Sequence, residues 1–368
     1  MTTESVVESA GSQTAPPASA PARFAFGETF TDHMVTAEWT ADRGWAPGTL
    51  GKRGPLAMDP AMVGLHYGQV VFEGLKAYRQ ADGTVGVFRP VDHALRFQRS
   101  ARRLAMPEMP VETFLRAVDD LVGADADLLP DDPALSLYLR PVLYASEPVL
   151  ALRPAREYRF VLIAFLTGGF FADRPDPVSV WISRDRSRAA PGGTGDVKCA
   201  GNYAPGYLTQ QQATRAGCHQ VIWLDAAERR WVEEMGGMNV FFVRGTGTAA
   251  RLVTPPRGGT ILPGVTRDSV FGLAERLGLH TGEERLSVDA WRDACRGGDL
   301  TEAFACGTAA GITPIGTVHD GDDRWRVGTG EPGPVTLALR SALTAAQQGT
   351  SPHFAPWIRR VAGTARAH

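Results

Sequence analysis

In the stretch GGTGDVKCAGNYAPG (192–206) one lysine, Lys198, stands among five glycines, with Tyr203 five residues on. Two chemistries use a lysine in such a loop. A phosphate-wrapping loop requires GxxxxGK[ST], with glycine directly before the lysine and a hydroxyl directly after it. Val197 and Cys199 hold those places, so that pattern fails on both sides. The second chemistry makes the lysine a Schiff-base nucleophile, which must shed its proton near neutral pH and have room to swing. Val197, Cys199, Ala200 and Gly201 supply room and no competing charge, and Tyr203 is spaced to hydrogen-bond a phenolate oxygen. The loop alone is equally compatible with an ordinary surface lysine. The whole chain has three lysines (Lys52, Lys76 and Lys198), so a lysine-dependent chemistry has three candidates. A bias toward arginine accounts for the low number.

Other loops add what a phosphorylated carbonyl cofactor needs: backbone N–H groups for an anion and an acid for a ring nitrogen. LPGVTRDSVFGLAERLG places a Gly-Val-Thr turn at a helix start, and CGTAAG (306–311) makes a second such turn. Arg96 offers a fixed positive charge. It falls in VDHALRFQRSARRLAM (91–106), an amphipathic helix begun by Asp92, with Leu95, Arg96, Ser100 and Arg103 near one face. VEEMGGMN presents Glu233 and Glu234 on a strand whose alternation sends one toward solvent and the other inward. Plainer readings stand beside these: Thr266 and Thr308 as turn formers, Arg140 as a strand-end surface arginine, Phe72 as a core residue.

The elements that must position these residues alternate between the two periodicities. QVVFEGLKAYR (69–79) and VGVFRP (85–90) read as strands, ETFLRAVDDLVGA as a helix, and LSLYLRPVLYAS (135–146) and YRFVLIAFLT (158–167) as strands. GGFFADRPDPV (168–178) gathers Gly, Pro and Asp and reads as a hinge. Beyond it follow the strand VSVWIS, the glycine loop, and the helix GYLTQQQATRAG, stopped at Gly217. HQVIWLD and RWVEEMGGMNVFFVR are two strands joined by AAER, and LVTPPRGGTILPGVTRDSVFGLAERLG is strand, loop and helix. The pattern predicts an α/β (α+β) chain in two parts: a smaller domain over 23–167, a hinge over 168–178 and a larger domain over 179–368. The length of 368 residues agrees, at about 150 residues per domain.

Bulk properties exclude several classes. A net charge of −2 gives no electrostatic case for nucleic acid as the main partner. No apolar run approaches the roughly 20 residues that span a bilayer. The first 22 residues are rich in Ala, Ser, Thr and Pro and carry Glu4 and Glu8 with no basic residue before Arg23; they read as a disordered tail. Cys199, Cys218, Cys295 and Cys306 show no CxxC spacing, and the eight histidines form no cluster, so no metal is expected and a reducing cytoplasm fits.

The chain resembles a fold-type IV pyridoxal-phosphate enzyme and, within that group, a branched-chain amino-acid aminotransferase. The resemblance rests on LHYGQVVFEGLKAYR, RFQRSARRLAMP, SLYLRPVLYASEP, PVSVW…GGTGDVKCAGNY, GCHQVIWLD, EEMGGMNVFFV, LVTPP…ILPGVTRDS and EAFACGTAAGITPIG, in the family's order over about residues 28–350. It implies two domains with pyridoxal 5'-phosphate between them. Lys198 would join the cofactor and move the proton at the substrate α-carbon. Tyr203 would meet the cofactor's 3′ oxygen, and Glu234 its ring nitrogen. Arg96, the backbone of Val265 and Thr266, and Thr308 would hold the phosphate.

On the substrate side it implies that Arg140 and Tyr138 receive the side-chain carboxylate of glutamate. Tyr67 and the backbone at Thr308 and Ala309 would hold the α-carboxylate, and Phe72 would line an apolar pocket. It further implies branched-chain amino acids as donors, 2-oxoglutarate as acceptor, and a cytoplasmic homodimer with Tyr67, Leu150 and Leu152 near the subunit interface. Three departures bear on the substrate. The family's hinge pair begins with tyrosine where this chain has Phe170-Phe171; Val149–Leu152 replaces a small residue and glycine; Ala310 and Thr313 replace a redox CxxC pair. A biosynthetic aminotransferase for an unusual aliphatic, β-branched or aromatic amino acid is the alternative. A D-amino-acid aminotransferase or lyase of this fold fits less well, and a non-enzymatic binding protein would have no need to keep Lys198, Glu234, Arg96 and Thr308.

Overall fold

A computed structural model describes residues 24–168 and 176–364 of the chain. The tail expected at 1–22 and the pair Phe170-Phe171 lie outside the described residues.

Two nine-stranded sheets organise the described chain. The first is antiparallel throughout. Its strands run, edge to edge, Ile358–Val361, Val85–Phe88, Leu75–Arg79, Ser136–Ala145, Glu157–Thr167, Thr29–Thr40 and Gly44–Trp45, with Thr49–Lys52 and Val70–Phe72 on side branches. The strand nearest the C-terminus thus returns to the sheet built by the N-terminal half. In the second sheet, Val232–Met235 pairs with both Gln220–Leu224 and Met238–Arg244, so six strands close into a ring. The other members of that ring are Val178–Ile182, Gly311–Asp320 and Leu300–Gly307.

Alternation along Ser136–Ala145 divides two environments. Leu137, Leu139 and Leu143 are fully buried in the first sheet's core, against helices Pro90–Arg103 and Val111–Asp125. Tyr138, Arg140 and Val142 turn to the other face. The register sets Phe72 opposite Val142 and Lys76 opposite Tyr138, which extends that face across three strands. The stretch 69–79, expected as one strand, is split into Val70–Phe72 and Leu75–Arg79. The cause lies next door: Pro141 accepts from the Glu73 N–H at 2.8 Å but has no N–H of its own to continue the ladder. At the break, a β-carbon on Gly74 would run into the Tyr138 hydroxyl, so this position must be glycine for Tyr138 to sit where it does.

The helix expected from Asp92 begins two residues earlier, at Pro90, whose fixed φ suits a first helical position. Arg96 and Ser100 face inward as expected, but Leu95 is exposed and Arg103 reaches over the surface to the carbonyls of Gly192 and Gly193. That correction matters below, because the inward face carries the polar residues.

Candidate active site

The glycine loop is held from three sides. The Lys198 N–H donates to Ser100 Oγ at 3.0 Å, and its carbonyl accepts from the Phe72 N–H at 3.0 Å. The Asn202 amide donates to the carbonyls of Thr194 and Val197. With its backbone clamped, Lys198 sends its amine into a cavity of about 800 Å³ between the two sheets. There Nζ lies 2.9 Å from the Tyr203 hydroxyl and 4.8 Å from the centre of the Phe72 ring. One hydrogen bond and two aromatic faces surround the amine, and among the described residues no carboxylate forms an ion pair with it.

One end of the cavity is built to take an anion. Arg96 lines it, its Nε and Nη2 gripping Glu73 at 2.7 and 2.9 Å, while Nη1 reaches toward the Pro263 carbonyl at 3.4 Å. Burial alone would raise the Glu73 carboxyl, but the Arg96 charge and fork outweigh it and carry it well below the usual carboxylate range. Beside Arg96 begins the helix Val265–Arg276, capped by Gly264 with no side-chain partner, so among the described residues its first N–H groups face the cavity's end unspent. The turn Thr308–Ala310 closes the same region, and among the described residues none of its N–H groups donates to a backbone carbonyl.

An acid sits behind another part of the cavity wall, next to the segment 262–264 that leads into this helix. Glu234 is almost fully buried and meets Arg188 Nε at 2.7 Å through one oxygen. Its other oxygen accepts from the Asn239 amide and the Leu262 N–H, both at 3.0 Å, and those two residues line the cavity. Burial lifts the Glu234 carboxyl to about 7, against the downward pull of Arg188. Arg188 also donates to the carbonyls of Gly195 and Thr260, tying the glycine loop to the acid. The expectation that one of the two glutamates meets solvent fails: Glu233 is buried too, and accepts from the Thr260 hydroxyl. Alternation holds, but both faces of this strand are covered.

The sheet face supplies the remaining wall. Arg140 lies 5.2 Å from the Phe72 ring centre and 5.3 Å from that of Tyr138, with Nη2 at 3.4 Å from the Tyr138 hydroxyl. Its Nε is buried without a hydrogen-bond partner among the described residues. A guanidinium with an unspent donor between aromatic walls has the chemistry to pair with a carboxylate.

Ten of the residues singled out in the sequence line this one cavity: Phe72, Arg96, Tyr138, Arg140, Lys198, Tyr203, Val265, Thr266, Thr308 and Ala309. Glu234 stands just behind the wall. Tyr67 is half exposed at the end of the short helix Val63–Tyr67, away from the lining, and Phe170 is outside the described residues. Sequence reasoning missed Glu73, Arg188 and Asn239. Arg188 is one of three arginines in SRDRSRAA, and nothing in that string distinguishes it from Arg184 or Arg186. Among the described residues no cluster of His, Cys, Asp or Glu is arranged to hold a metal ion.

Comparison with known proteins places this geometry. Residues 70–318 match the family model of the amino-transferase class IV proteins. A branched-chain-amino-acid aminotransferase of Mycolicibacterium smegmatis is 50% identical over 339 residues, covering 91% of this chain and 92% of the relative. A probable branched-chain-amino-acid aminotransferase of Streptomyces coelicolor is 51% identical over 338 residues, covering 92% of each. Among solved structures, a T.th. branched-chain amino acid aminotransferase with pyridoxamine 5'-phosphate superposes with a TM-score of 0.72 at 27% identity, over 88% of this chain and 98% of that one.

Proposed function

The chain belongs to the amino-transferase class IV family, and from that premise we propose that it moves the α-amino group of branched-chain L-amino acids to 2-oxoglutarate. The products are the branched-chain 2-oxo acids and glutamate. Its cofactor is pyridoxal 5'-phosphate, and its fold is the fold-type IV arrangement of two α/β parts around a cofactor cleft. We take 23–167 and 179–368 as those parts, with the C-terminal strand Ile358–Val361 crossing back to the first.

The residues present fit that group. Unspent N–H groups at the start of Val265–Arg276 and the Thr308 hydroxyl, with Arg96 between, would hold its phosphate, which leaves the turn's backbone N–H groups facing a substrate carboxylate. Lys198 would be the amine at its aldehyde, Tyr203 the hydroxyl at its 3′ oxygen, and Glu234 the acid at its ring nitrogen. When bound, the cofactor supplies an aldehyde for that amine and a ring able to delocalise the electron pair left by a departing α-proton. Lys198 Nζ takes and returns that proton, in a place the Tyr203 hydroxyl already fixes. The walls of Phe72, Tyr138 and Val142 exclude water and suit an aliphatic side chain.

One observation carries the choice of substrate pair: the guanidinium of Arg140, its Nε without a partner among the described residues, between two aromatic rings. A branched aliphatic chain packs on the rings, and the longer 2-oxoglutarate places its second carboxylate on Arg140. Arg140→Ala should therefore lower kcat/KM for 2-oxoglutarate and glutamate by about a hundredfold and for leucine by less than about threefold. Steady-state assays across a panel of amino donors decide it. Equal losses for both substrates, or a donor preference outside leucine, isoleucine and valine, would refute the assignment.

The protein works as a homodimer in this reading. Leu65, Tyr67, Leu150 and Leu152 are 51–88% exposed, and the two segments are joined by the Val63 N–H donating to the Glu147 carbonyl. An apolar patch of this kind favours a partner surface and brings Tyr67 to the partner's substrate. Four free cysteines suit the reducing cytoplasm.

A further inference from the structure

Lys76 has no part in the scheme above, yet it is buried to 7% exposure. It stands opposite Tyr138 in the register of Leu75–Arg79 with Ser136–Ala145. Residues so paired share a face of the sheet, so its side chain leaves on the cavity side. Its Nζ donates to the Ala309 carbonyl at 3.1 Å, which ties the first sheet to a hairpin turn of the second. Among the described residues no carboxylate pairs with it, and burial pulls the amine down to about 8. A buried amine of this kind is costly, and a single carbonyl is a small return for it.

The turn it holds explains the cost. Thr308–Ala310 connects Leu300–Gly307 to Gly311–Asp320, whose end residues Gly307 and Gly311 pair with each other. Its three N–H groups are the unspent donors already noted. Every described peptide is trans, so the Ala310 N–H points opposite to the Ala309 carbonyl. Holding that carbonyl on an ammonium turns the Ala310 N–H away from Lys76 and polarises it as a donor. A nest of N–H groups with a positive charge behind it binds a carboxylate.

We infer that Lys76 is a positioning residue for carboxylate recognition: it orients the turn Thr308–Ala310 and places a buried positive charge behind it, tightening the hold on the α-carboxylate common to donor and acceptor. The inference rests on the aminotransferase reading and deepens it.

The test uses the full-length, cofactor-loaded protein and its Lys76→Met and Lys76→Arg variants. The probe is 4-methylvaleric acid, a monocarboxylate with a leucine-like tail, titrated while the cofactor's visible absorbance is followed. Lys76→Met should raise its Kd about tenfold, the loss of one charge-assisted contact. The KM values for leucine and 2-oxoglutarate should rise together by a similar factor, with kcat within about twofold of the parent. Lys76→Arg should recover most of the affinity. If Lys76→Met does not fold, Lys76→Gln, which keeps a donor without the charge, is read in the same way. An unchanged Kd, with or without a lower melting temperature, would mean a merely structural link between the sheets and would overturn the inference while leaving the aminotransferase reading intact. A parent protein that binds no cofactor at Lys198 would overturn both.

Discussion

Lys198→Ala is expected to reduce turnover by about 10⁴-fold or more, since it removes both the covalent anchor and the group that moves the α-proton. Borohydride reduction of the cofactor-loaded parent, followed by peptide mapping, should place a single adduct on Lys198 and none in the variant. The fold should survive the change, because only the side chain is lost. The loop is held by the Lys198 backbone through Ser100 and Phe72 and by the Asn202 amide, and none of these contacts uses the amine. The informative alternative is an adduct on Lys76. That amine is buried and lowered to about 8, but it is turned to the Ala309 carbonyl, and among the described residues no aromatic face or hydroxyl steers it. A trapped adduct there, or a Lys198→Ala protein with near-parental turnover, would end the account.

The contrast between these lysines shows where the sequence was informative. Small neighbours and a trailing tyrosine marked the Lys198 loop as a place for a mobile amine, and the structure puts that amine 2.9 Å from the Tyr203 hydroxyl. Gly-Val-Thr and Gly-Thr-Ala turns likewise announced unspent N–H groups, because a turn at a helix start or hairpin end has donors with no ladder to enter. The strand at 135–146 was legible as a strand, whereas the roles of Tyr138 and Arg140 came from the family resemblance rather than from alternation.

Residues that act through another residue left no such mark. Glu73 lies in a strand-like string, and only the in-register approach of Arg96 from a helix 23 residues away turns it into a buried ion pair. Arg188 and Glu234 are separated by a loop, a helix and a strand, and their 2.7 Å contact depends on the closure of the six-stranded ring. Long-range pairing of this sort is set by topology, which local periodicity does not encode. The error on Glu233 has the same origin: alternation predicts opposite faces, but whether each face meets water depends on what packs there, here the Thr260 loop.

Glu234→Gln is the second large effect, and it should appear in two separable ways. The glutamine is isosteric but uncharged, so the cofactor's ring nitrogen loses its anionic partner and kcat should fall by about 10²–10³-fold. The change also strands Arg188, whose side chain is only 9% exposed, beside a neutral group. Breaking a buried pair from one side costs about 3–5 kcal/mol, whereas removing both partners is far less damaging. The double variant Arg188→Met with Glu234→Gln should therefore regain melting temperature without regaining turnover. Cofactor-free protein carries a further signature. Burial raises the Glu234 carboxyl from its ordinary 4.5 to about 7, so across that window the folded state holds a proton that the unfolded state has released. By linkage, this group makes stability fall as pH rises from about 4.5 to about 7, and Glu234→Gln should flatten that part of the profile. Thermal melts of parent and variant at matched pH values measure the difference directly, so the other carboxylates cancel. Parental kcat in Glu234→Gln, or a double variant that recovers activity along with stability, would remove Glu234 from the reaction and leave it a structural acid.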